Sequence, residues 1–339
     1  MVKVSPALAT GVVLRLILLG LTIKIHGIAG VFYEDSESFW LPFKNLWEHG
    51  VYSGDRTAPF RPDPLRPPLY PLFCALFSGL HLSPFPVAMA QVLLVYPLTH
   101  RALLQWLNHS RWKGFGSWFL ALDVPHMVYG ALLMPDTLFL LGFVLLLGRL
   151  GEGKIGWREG VLLGLMHLTR PFADVILVGV VVWRFWVGAG LAPPANSGRP
   201  KGRPYHDICM ITLGFTLAIS PWVIRNTLTF GEPFVSLQGP HTLVRTLIPA
   251  LRAGGDSAAE DMAKVDVLRE VGDIHDAPLE VARKEKLLVQ REVWRQPWSA
   301  VSVAFQTVPV LLLNPERSSL VDMLGLRPLP GRLQFEKSP

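Results

Sequence analysis

The residues best suited to chemistry in this sequence are carboxylates and arginines that lie beside long apolar segments. Glu34 and Asp35 follow the first of these segments, and a carboxylate at such a water–lipid boundary can act as a general base. Arg61 and Arg66 lie in FRPDPLRPPLYPLF, residues 60–73, among five prolines that keep the backbone out of a helix. A guanidinium binds phosphate through two parallel hydrogen bonds and stays protonated. The pattern therefore indicates arginines fixed where they can bind the phosphate head of a lipid.

Three further ionisable residues lie at the ends of apolar segments. These are Asp136 in LLMPDTLF, Arg170 in LTRPF and Arg225 in SPWVIRN. Ionisable groups close to membrane depth are functional candidates. We expect all three to share one external cavity with Asp35 and Arg66, because opposite charges a few ångströms apart keep a desolvated carboxylate ionised.

Each of these residues also has an ordinary structural explanation. Asp35 can cap the helix that follows it, and Asp136 can cap the next apolar helix. Arg66 can extend towards lipid headgroups as a flanking arginine does. Arg170 can pair with Asp174, four residues further along. The functional interpretation depends on these side chains converging.

The composition is that of a multi-pass membrane protein. Half of the residues are hydrophobic and 17% are charged, whereas soluble domains carry about 25% charged residues. The net charge of +6 is modest, and the basic residues lie at the ends of apolar segments, which suits membrane topology. Nucleic acid is therefore excluded as a partner.

The elements that must position these residues are apolar segments of membrane-spanning length. The first contains charged residues and lacks a cleavage site, so we expect it to be retained as a helix. We predict an all-α polytopic protein with about eight spans. The predicted spans are residues 8–31, 86–107, 113–133, 136–151, 156–170, 172–188, 207–227 and 298–315.

Two shorter helices are predicted in the external loop 32–85. Apolar residues recur at helical spacing in 36–48, which predicts a helix lying on the membrane surface. Its aromatic residues are expected to face lipid or the protein body; they are Phe39, Trp40, Phe43 and Trp47. The segment 68–82 is apolar but too short to cross a core of about 30 Å, so we predict a juxtamembrane helix there.

Orientation follows from the lysines and arginines of the short loops. They place the N-terminus in the cytoplasm and the loop 32–85 outside, although that loop carries four basic residues against the rule; they are Lys44, Arg56, Arg61 and Arg66. We predict a transmembrane core over 1–228, an external, partly helical subdomain over 229–297, and a last span with a cytoplasmic tail over 298–339. The expected location is the plasma membrane.

The order of the motifs resembles a known family. After the acidic pair come NLWEHGVYS, RPPLYPLFCALF, MPDTLF, GLMHLTRP and SPWVIRNTLTFGEPFVSLQG. Together they resemble the GT-C type glycosyltransferases that use polyprenyl-phosphate sugars, the relatives of dolichyl-phosphate-mannose protein mannosyltransferase and aminoarabinose transferase. The resemblance spans about residues 8–245. It implies a GT-C-like helical bundle, with Asp35 matching the catalytic aspartate and Arg66 the basic residue that contacts the lipid phosphate.

The resemblance implies an inverting transfer of a sugar from a polyprenyl-phosphate donor to an acceptor at the external face. Asp35 would be the general base, or would hold a divalent cation, with Glu34 and Asp136 in support. Four arginines are assigned to the donor phosphate: Arg66, Arg61, Arg170 and Arg225. The expected partners are the polyprenyl-phosphate sugar and membrane lipids. The one cofactor left open is a divalent cation, on Asp35 or Asp136.

Two other functions remain open at this point. A flippase or transporter for a lipid-linked glycan would be built from inverted repeats with broken spans in corresponding halves, and no internal repeat is evident in the sequence. A non-catalytic relative would bind lipid phosphate, or a partner enzyme, without transferring a sugar. A transfer assay separates these functions.

Overall fold

The computed structural model describes residues 5–32, 35–78, 83–188, 204–254, 257–303 and 323–324. Glu34 and most of the predicted last span lie outside these ranges. The regular elements of the described residues are all helical, which confirms the all-α prediction. A 3₁₀ turn follows the first helix at Ile28–Val31, and a π turn at Gln91–Val95 joins the fourth helix to the fifth.

The α-helices of the described part are numbered in chain order. They are α1 (Pro6–His26), α2 (Ser36–His49), α3 (Leu69–Ser78), α4 (Pro84–Ala90), α5 (Tyr96–Trp106), α6 (Lys113–Leu122), α7 (Val124–Ala131), α8 (Asp136–Gly151), α9 (Trp157–His167), α10 (Ala173–Gly188), α11 (Pro204–Phe230), α12 (Gln238–Ala253), α13 (Ser257–Val271) and α14 (Pro278–Arg295).

Three helices are long and apolar enough to cross a membrane. They are Pro6–His26, the continuous helix Pro84–Trp106, and Tyr205–Phe230, with 21, 23 and 26 residues. At about 1.5 Å per residue, each exceeds an apolar core of roughly 30 Å. Large apolar side chains such as Ile17 and Leu217 are exposed on them, as lipid-facing residues would be. The fold is that of a helical membrane protein with three candidate spans among the described residues.

The predicted span 113–133 is divided into two helices. Helix α6 ends at Leu122, and Asp123 takes an extended conformation with φ −63° and ψ 110°. Its carboxylate accepts a hydrogen bond from the backbone N–H of His126 at 3.1 Å, which caps α7. Pro125 in the first turn of α7 has no N–H to continue α6. The cap and the proline together break what the hydropathy suggested was one helix.

Arg15 on α1 is completely buried and holds this break in place. Its Nη2 donates to the carbonyl of Leu120 at 3.1 Å, and its Nη1 donates to the carbonyls of Ala121 at 3.2 Å and of Gly11 at 3.0 Å. The guanidinium lies 3.8 Å from the ring centroid of Tyr96. One side chain therefore ties α1 to the end of α6 and to α5.

Helices α9 and α11 are in backbone contact. A Cβ atom at Gly160 would lie 2.0 Å from the carbonyl oxygen of Ile211, and one at Gly214 would lie 1.9 Å from that of Trp157. Small residues allow membrane helices to approach this closely. The pair is therefore specified by its glycines.

The chain between α1 and α4 forms two short helices. Helix α2 buries Phe39, Trp40 and Phe43 in the main core, whereas Trp47 is exposed. It ends at Gly50, whose φ of 73° is left-handed. Helix α3 has 10 residues, so it is about 15 Å long and too short to cross a bilayer.

The last three described helices have a core of their own. Buried aliphatic residues of α12, α13 and α14 pack together; among them are Val244, Ile248, Val267, Val281 and Leu288. We call residues 238–295 the three-helix subdomain. It lies within the segment 229–297 for which a partly helical subdomain was predicted.

Candidate functional site

Asp35 and Arg66 form an ion pair. The Nη2 atom of Arg66 lies 3.1 Å from Oδ1 of Asp35, and the exposed fractions of the two side chains are 11% and 59%. The guanidinium also lies 4.3 Å from the ring centroid of Phe39, one turn into α2. Helix α2 therefore presents both the carboxylate and an aromatic face to the same arginine.

The backbone around Arg66 is fixed by hydrogen bonds. The hydroxyl of Tyr52 donates to the carbonyls of Arg66 at 3.0 Å and of Pro67 at 3.2 Å. Oδ1 of Asp63 accepts from the backbone N–H groups of Leu65 and Arg66 at 2.6 and 3.1 Å. These bonds replace the helical ones that the prolines prevent.

Two of these groups are strongly affected by burial. Burial raises the pKa of the Asp63 carboxyl, although the two backbone N–H donors act in the opposite direction. Burial, together with the nearby Asp63, also raises the pKa of the Tyr52 hydroxyl well above its usual value. Tyr52 thus stays protonated and continues to donate.

A cavity of about 400 Å³ opens beside the pair. Its walls come from the start of α2, from the proline-rich loop, from α12 and from the turn before α14. Its ionisable lining residues are Asp35, Asp63, Arg66, His241, Arg245 and His275.

The loop and the start of α12 are directly joined. The backbone N–H of Leu237 donates to the carbonyl of Pro64 at 3.1 Å, and the hydroxyl of Ser236 donates to the carbonyl of Leu65. The three-helix subdomain is therefore attached at the residues that position Arg66.

Arg225 is bonded to the backbone of the proline-rich loop. Its Nη1 donates to the carbonyl of Asp63 at 3.3 Å and to the Oδ1 atom of Asn226 at 2.8 Å. Its guanidinium lies 4.7 Å from the ring centroid of Trp222 and 5.4 Å from that of Tyr52. Arg225 holds the proline-rich loop, and it is not among the described residues that line the cavity.

Arg61 ties the loop to the three-helix subdomain. Its Nη2 lies 3.1 Å from Asp55, and its Nη1 lies 2.5 Å from Asp276. Partial burial would raise the pKa of the Asp55 carboxyl, but the hydrogen bonds and the charge of Arg61 lower it. Arg61 is not among the described residues that line the cavity.

Asp136 and Arg170 form a second ion pair, with 2.5 Å between Oδ2 and Nη2. Their segments meet the first loop through backbone hydrogen bonds from Leu133 to Val31 and from Leu69 to Leu168, both of 3.0 Å. Arg170 pairs with Asp136 at the start of α8, and not with Asp174, four residues further along the sequence.

Two of the five residues expected in one cavity are among the described residues that line it. Asp35 and Arg66 line the cavity. Asp136 and Arg170 pair with each other, and Arg225 bonds to the backbone of the proline-rich loop. The position of Glu34 lies outside the described residues.

The described residues do not group as a metal site. Among them, no three His, Cys, Asp or Glu side chains are arranged to hold a metal ion. Asp35 and Asp136, the two carboxylates considered for a divalent cation, each pair with an arginine.

Sequence reasoning missed the contribution of α12. Its residues Gln238, His241, Thr242, Arg245 and Thr246 line the cavity. Their spacing of three and four residues was a usable signal of one polar helix face. What the sequence lacked was any sign that this face meets the proline-rich loop.

The fold and site define a helical protein of membrane type with a charged cavity between a proline-rich loop and a three-helix subdomain. A comparison of the chain with family models, with curated proteins and with solved structures finds no match.

Proposed function

We propose that this protein is an integral-membrane glycosyltransferase that moves a sugar from a polyprenyl-phosphate donor to an acceptor hydroxyl at the external face of the plasma membrane. The observation that carries the proposal is the Asp35–Arg66 ion pair, 3.1 Å long, on the wall of a cavity of about 400 Å³. A base and a phosphate-binding cation are the two groups that such a transfer needs.

The proposed topology has about eight spans in a GT-C-like bundle, with the N-terminus in the cytoplasm. Besides the three long helices, the shorter helices α6 and α10 expose large apolar side chains such as Phe119, Val182 and Trp186. The exposed apolar surface on these faces supports further membrane helices. The loop that carries Arg66 then lies outside, and the polyprenyl chain stays in the bilayer.

The proposed reaction is a single displacement. The acceptor oxygen attacks the anomeric carbon from the side opposite the phosphate, and its proton passes to the carboxylate of Asp35. The bond from the anomeric carbon to the phosphate oxygen breaks, and its electron pair stays on the phosphate. Arg66 stabilises the charge that develops there. Inversion follows because no second nucleophile is involved.

The fixed position of the Arg66 side chain supports this role. Its side chain is mostly buried, its backbone is fixed by Tyr52 and Asp63, and its guanidinium packs on Phe39. A preorganised cation needs little rearrangement when charge develops beside it. Asp35 is more exposed, so that an acceptor hydroxyl can reach it.

The test is a transfer assay with purified protein in proteoliposomes. Polyprenyl-phosphate-linked hexoses and pentoses are offered with a membrane extract as acceptor, and release of polyprenyl phosphate is measured. We expect wild type to release it and Asp35→Ala to lose about 100-fold or more in rate. Asp266→Ala, which removes an exposed aspartate of α13, is the matched control and should be unchanged.

The same experiment distinguishes the two other functions. Movement of the intact donor across the bilayer without release of polyprenyl phosphate would establish a flippase and overturn the proposal. Binding of polyprenyl phosphate by wild type and Asp35→Ala alike, without release from any donor, would establish a binding protein instead.

A further inference from the structure

One face of α12 is turned entirely towards the cavity. The residues on it are Gln238, His241, Thr242, Arg245 and Thr246. The adjoining face carries Val244, Ile248 and Leu251, which are buried in the core of the three-helix subdomain. Because residues three and four apart share a helix face, this helix presents a continuous polar wall opposite Arg66.

The positive charge on this wall is available to a ligand. Arg245 is exposed and lines the cavity, and it forms no ion pair within the described part of the chain. Arg66, in contrast, is already paired with Asp35. Arg245 is therefore the cation whose charge can be matched by an added anion.

His241 is oriented by a buried carboxylate. Its Nδ1 lies 2.7 Å from Oε1 of Glu285, and the exposed fractions of the two side chains are 10% and 1%. Since Nδ1 is engaged, Nε2 is the nitrogen left for a molecule in the cavity. Glu285 fixes the imidazole through this bond, as carboxylates do for metal-binding and catalytic histidines, and so acts as a positioning residue.

We infer that Arg245 and His241 bind the same phosphate as Arg66, and that this second wall is matched to the polyprenyl phosphate released by the reaction. The inference rests on the proposed function and assigns the residues that bind the product of that reaction. The donor phosphate is a diester with one negative charge. When the bond to the sugar breaks, the phosphate becomes a monoester whose second ionisation lies at a pKa of about 6.

The charge balance of the cavity fits this change. Asp35 is neutral once it has taken the acceptor's proton, so Arg66 and Arg245 each offer one positive charge to the two negative charges of the released phosphate. Charge-assisted hydrogen bonds from guanidinium and imidazole to phosphate oxygens strengthen as that charge grows. Interactions that are stronger with the departing phosphate than with the donor accelerate the transfer.

The experiment measures binding of three probes to the purified full chain in detergent: polyprenyl phosphate, phosphatidylglycerol as a diester lipid, and inorganic phosphate. We expect wild type to prefer polyprenyl phosphate. Arg245→Ala should lose about tenfold in affinity for polyprenyl phosphate and much less for the diester. Arg245→Lys should recover part of the loss, and His241→Gln should show a smaller loss of the same kind.

The matched control is Arg269→Ala, since Arg269 is an exposed arginine of α13 that does not line the cavity. Equal affinities for Arg245→Ala and Arg269→Ala would overturn the inference. Equal binding of inorganic phosphate and polyprenyl phosphate by wild type would also overturn it, because the ligand would then be a free anion.

Failure of this inference is distinguishable from failure of the proposed function. If Arg66→Ala weakens binding of polyprenyl phosphate and Arg245→Ala does not, the donor site stands, and the released phosphate is bound by residues other than Arg245. If wild type binds no phosphate lipid at all, both proposals are overturned. Melting temperatures of all variants in the same detergent report any loss of folding.

Discussion

Arg66 reaches Asp35 across the chain at 3.1 Å while its guanidinium packs 4.3 Å from the ring centroid of Phe39. The proposed base and the proposed phosphate-binding cation are therefore each other's partners. A phosphate that binds Arg66 must compete with the carboxylate of Asp35, so the pair should set the affinity of the site as well as its chemistry.

Asp35→Asn should separate binding from transfer. Removing the carboxylate frees the charge of Arg66, and an ion pair with one exposed partner contributes enough to change affinity by about two- to fivefold. We expect Asp35→Asn to bind polyprenyl phosphate more tightly than wild type while losing transfer. Equilibrium binding and the proteoliposome assay measure the two effects on the same preparation.

Arg66→Lys should weaken lipid-phosphate binding although it keeps the charge. A lysine offers a point charge without the planar fork that binds two phosphate oxygens, and it stacks less well on Phe39. We expect a loss of about tenfold in affinity, measured by titration with polyprenyl phosphate. The same change at Arg56, which pairs with Glu37 at 2.6 Å, should have no effect on affinity. Equal losses at both positions would contradict a specific role for Arg66, because neither substitution changes the charge of the protein.

Arg61→Ala should reduce stability and leave binding nearly unchanged. Arg61 joins Asp55 and Asp276, so its loss removes one of the links between the loop and the three-helix subdomain. The pKa of Asp55 is lowered in the folded protein, so this interaction contributes stability above the unfolded pKa of about 3.9 and loses it as pH falls through the folded pKa. We expect a melting temperature a few degrees below wild type at pH 7, with the difference shrinking below about pH 3.9.

Lys284→Ala is the control for that measurement, because Lys284 pairs with Glu280 only along its own helix. Its melting temperature should stay close to that of wild type. If Arg61→Ala lost as much phosphate-lipid affinity as Arg66→Lys, Arg61 would be a phosphate-binding residue, as the sequence predicted.

The sequence was informative where local signals decide the structure. The helix predicted over 36–48 lies at Ser36–His49, and the segment predicted to be too short to cross contains the 10-residue helix α3. Periodicity, prolines and a terminal glycine determine such elements within a few residues of chain. The break at Asp123 was also signalled, by a capping residue followed by Pro125, but the apolar run around it favoured one span.

Long-range pairing could not be predicted in the same way. Arg61 bonds to Asp276, 215 residues further along, and Arg225 bonds to the backbone of Asp63, 162 residues away. Nothing in either local sequence distinguishes an arginine that binds a ligand from one that fastens a loop. The assignment of the four arginines to phosphate followed from charge, from location and, for Arg66, from the family resemblance. Their different contacts come from tertiary packing.

Arg15→Met should strongly destabilise the membrane core. The substitution removes the donors that reach the buried carbonyls of Leu120 and Ala121, and each buried acceptor left unpaired costs about 1–3 kcal/mol. We expect a large drop in melting temperature in detergent, with a smaller drop for Arg15→Lys. Lys24→Met, which changes an exposed cation on the same helix, should melt close to wild type; a similar drop there would show that the effect is one of charge in α1.

Gly214→Ala and Gly20→Ala should have opposite effects on stability, although both add one methyl group to a membrane helix. A Cβ at Gly214 would lie 1.9 Å from the carbonyl oxygen of Trp157, whereas a Cβ at Gly20 meets no atom within 4 Å. The first substitution must push α11 away from α9, and overpacking of this kind typically costs about 1–3 kcal/mol. The second gains from the better helix propensity of alanine, by up to about 1 kcal/mol. Thermal melting of both variants in the same detergent tests the contact directly, and equal melting temperatures would mean that the two helices are not in backbone contact.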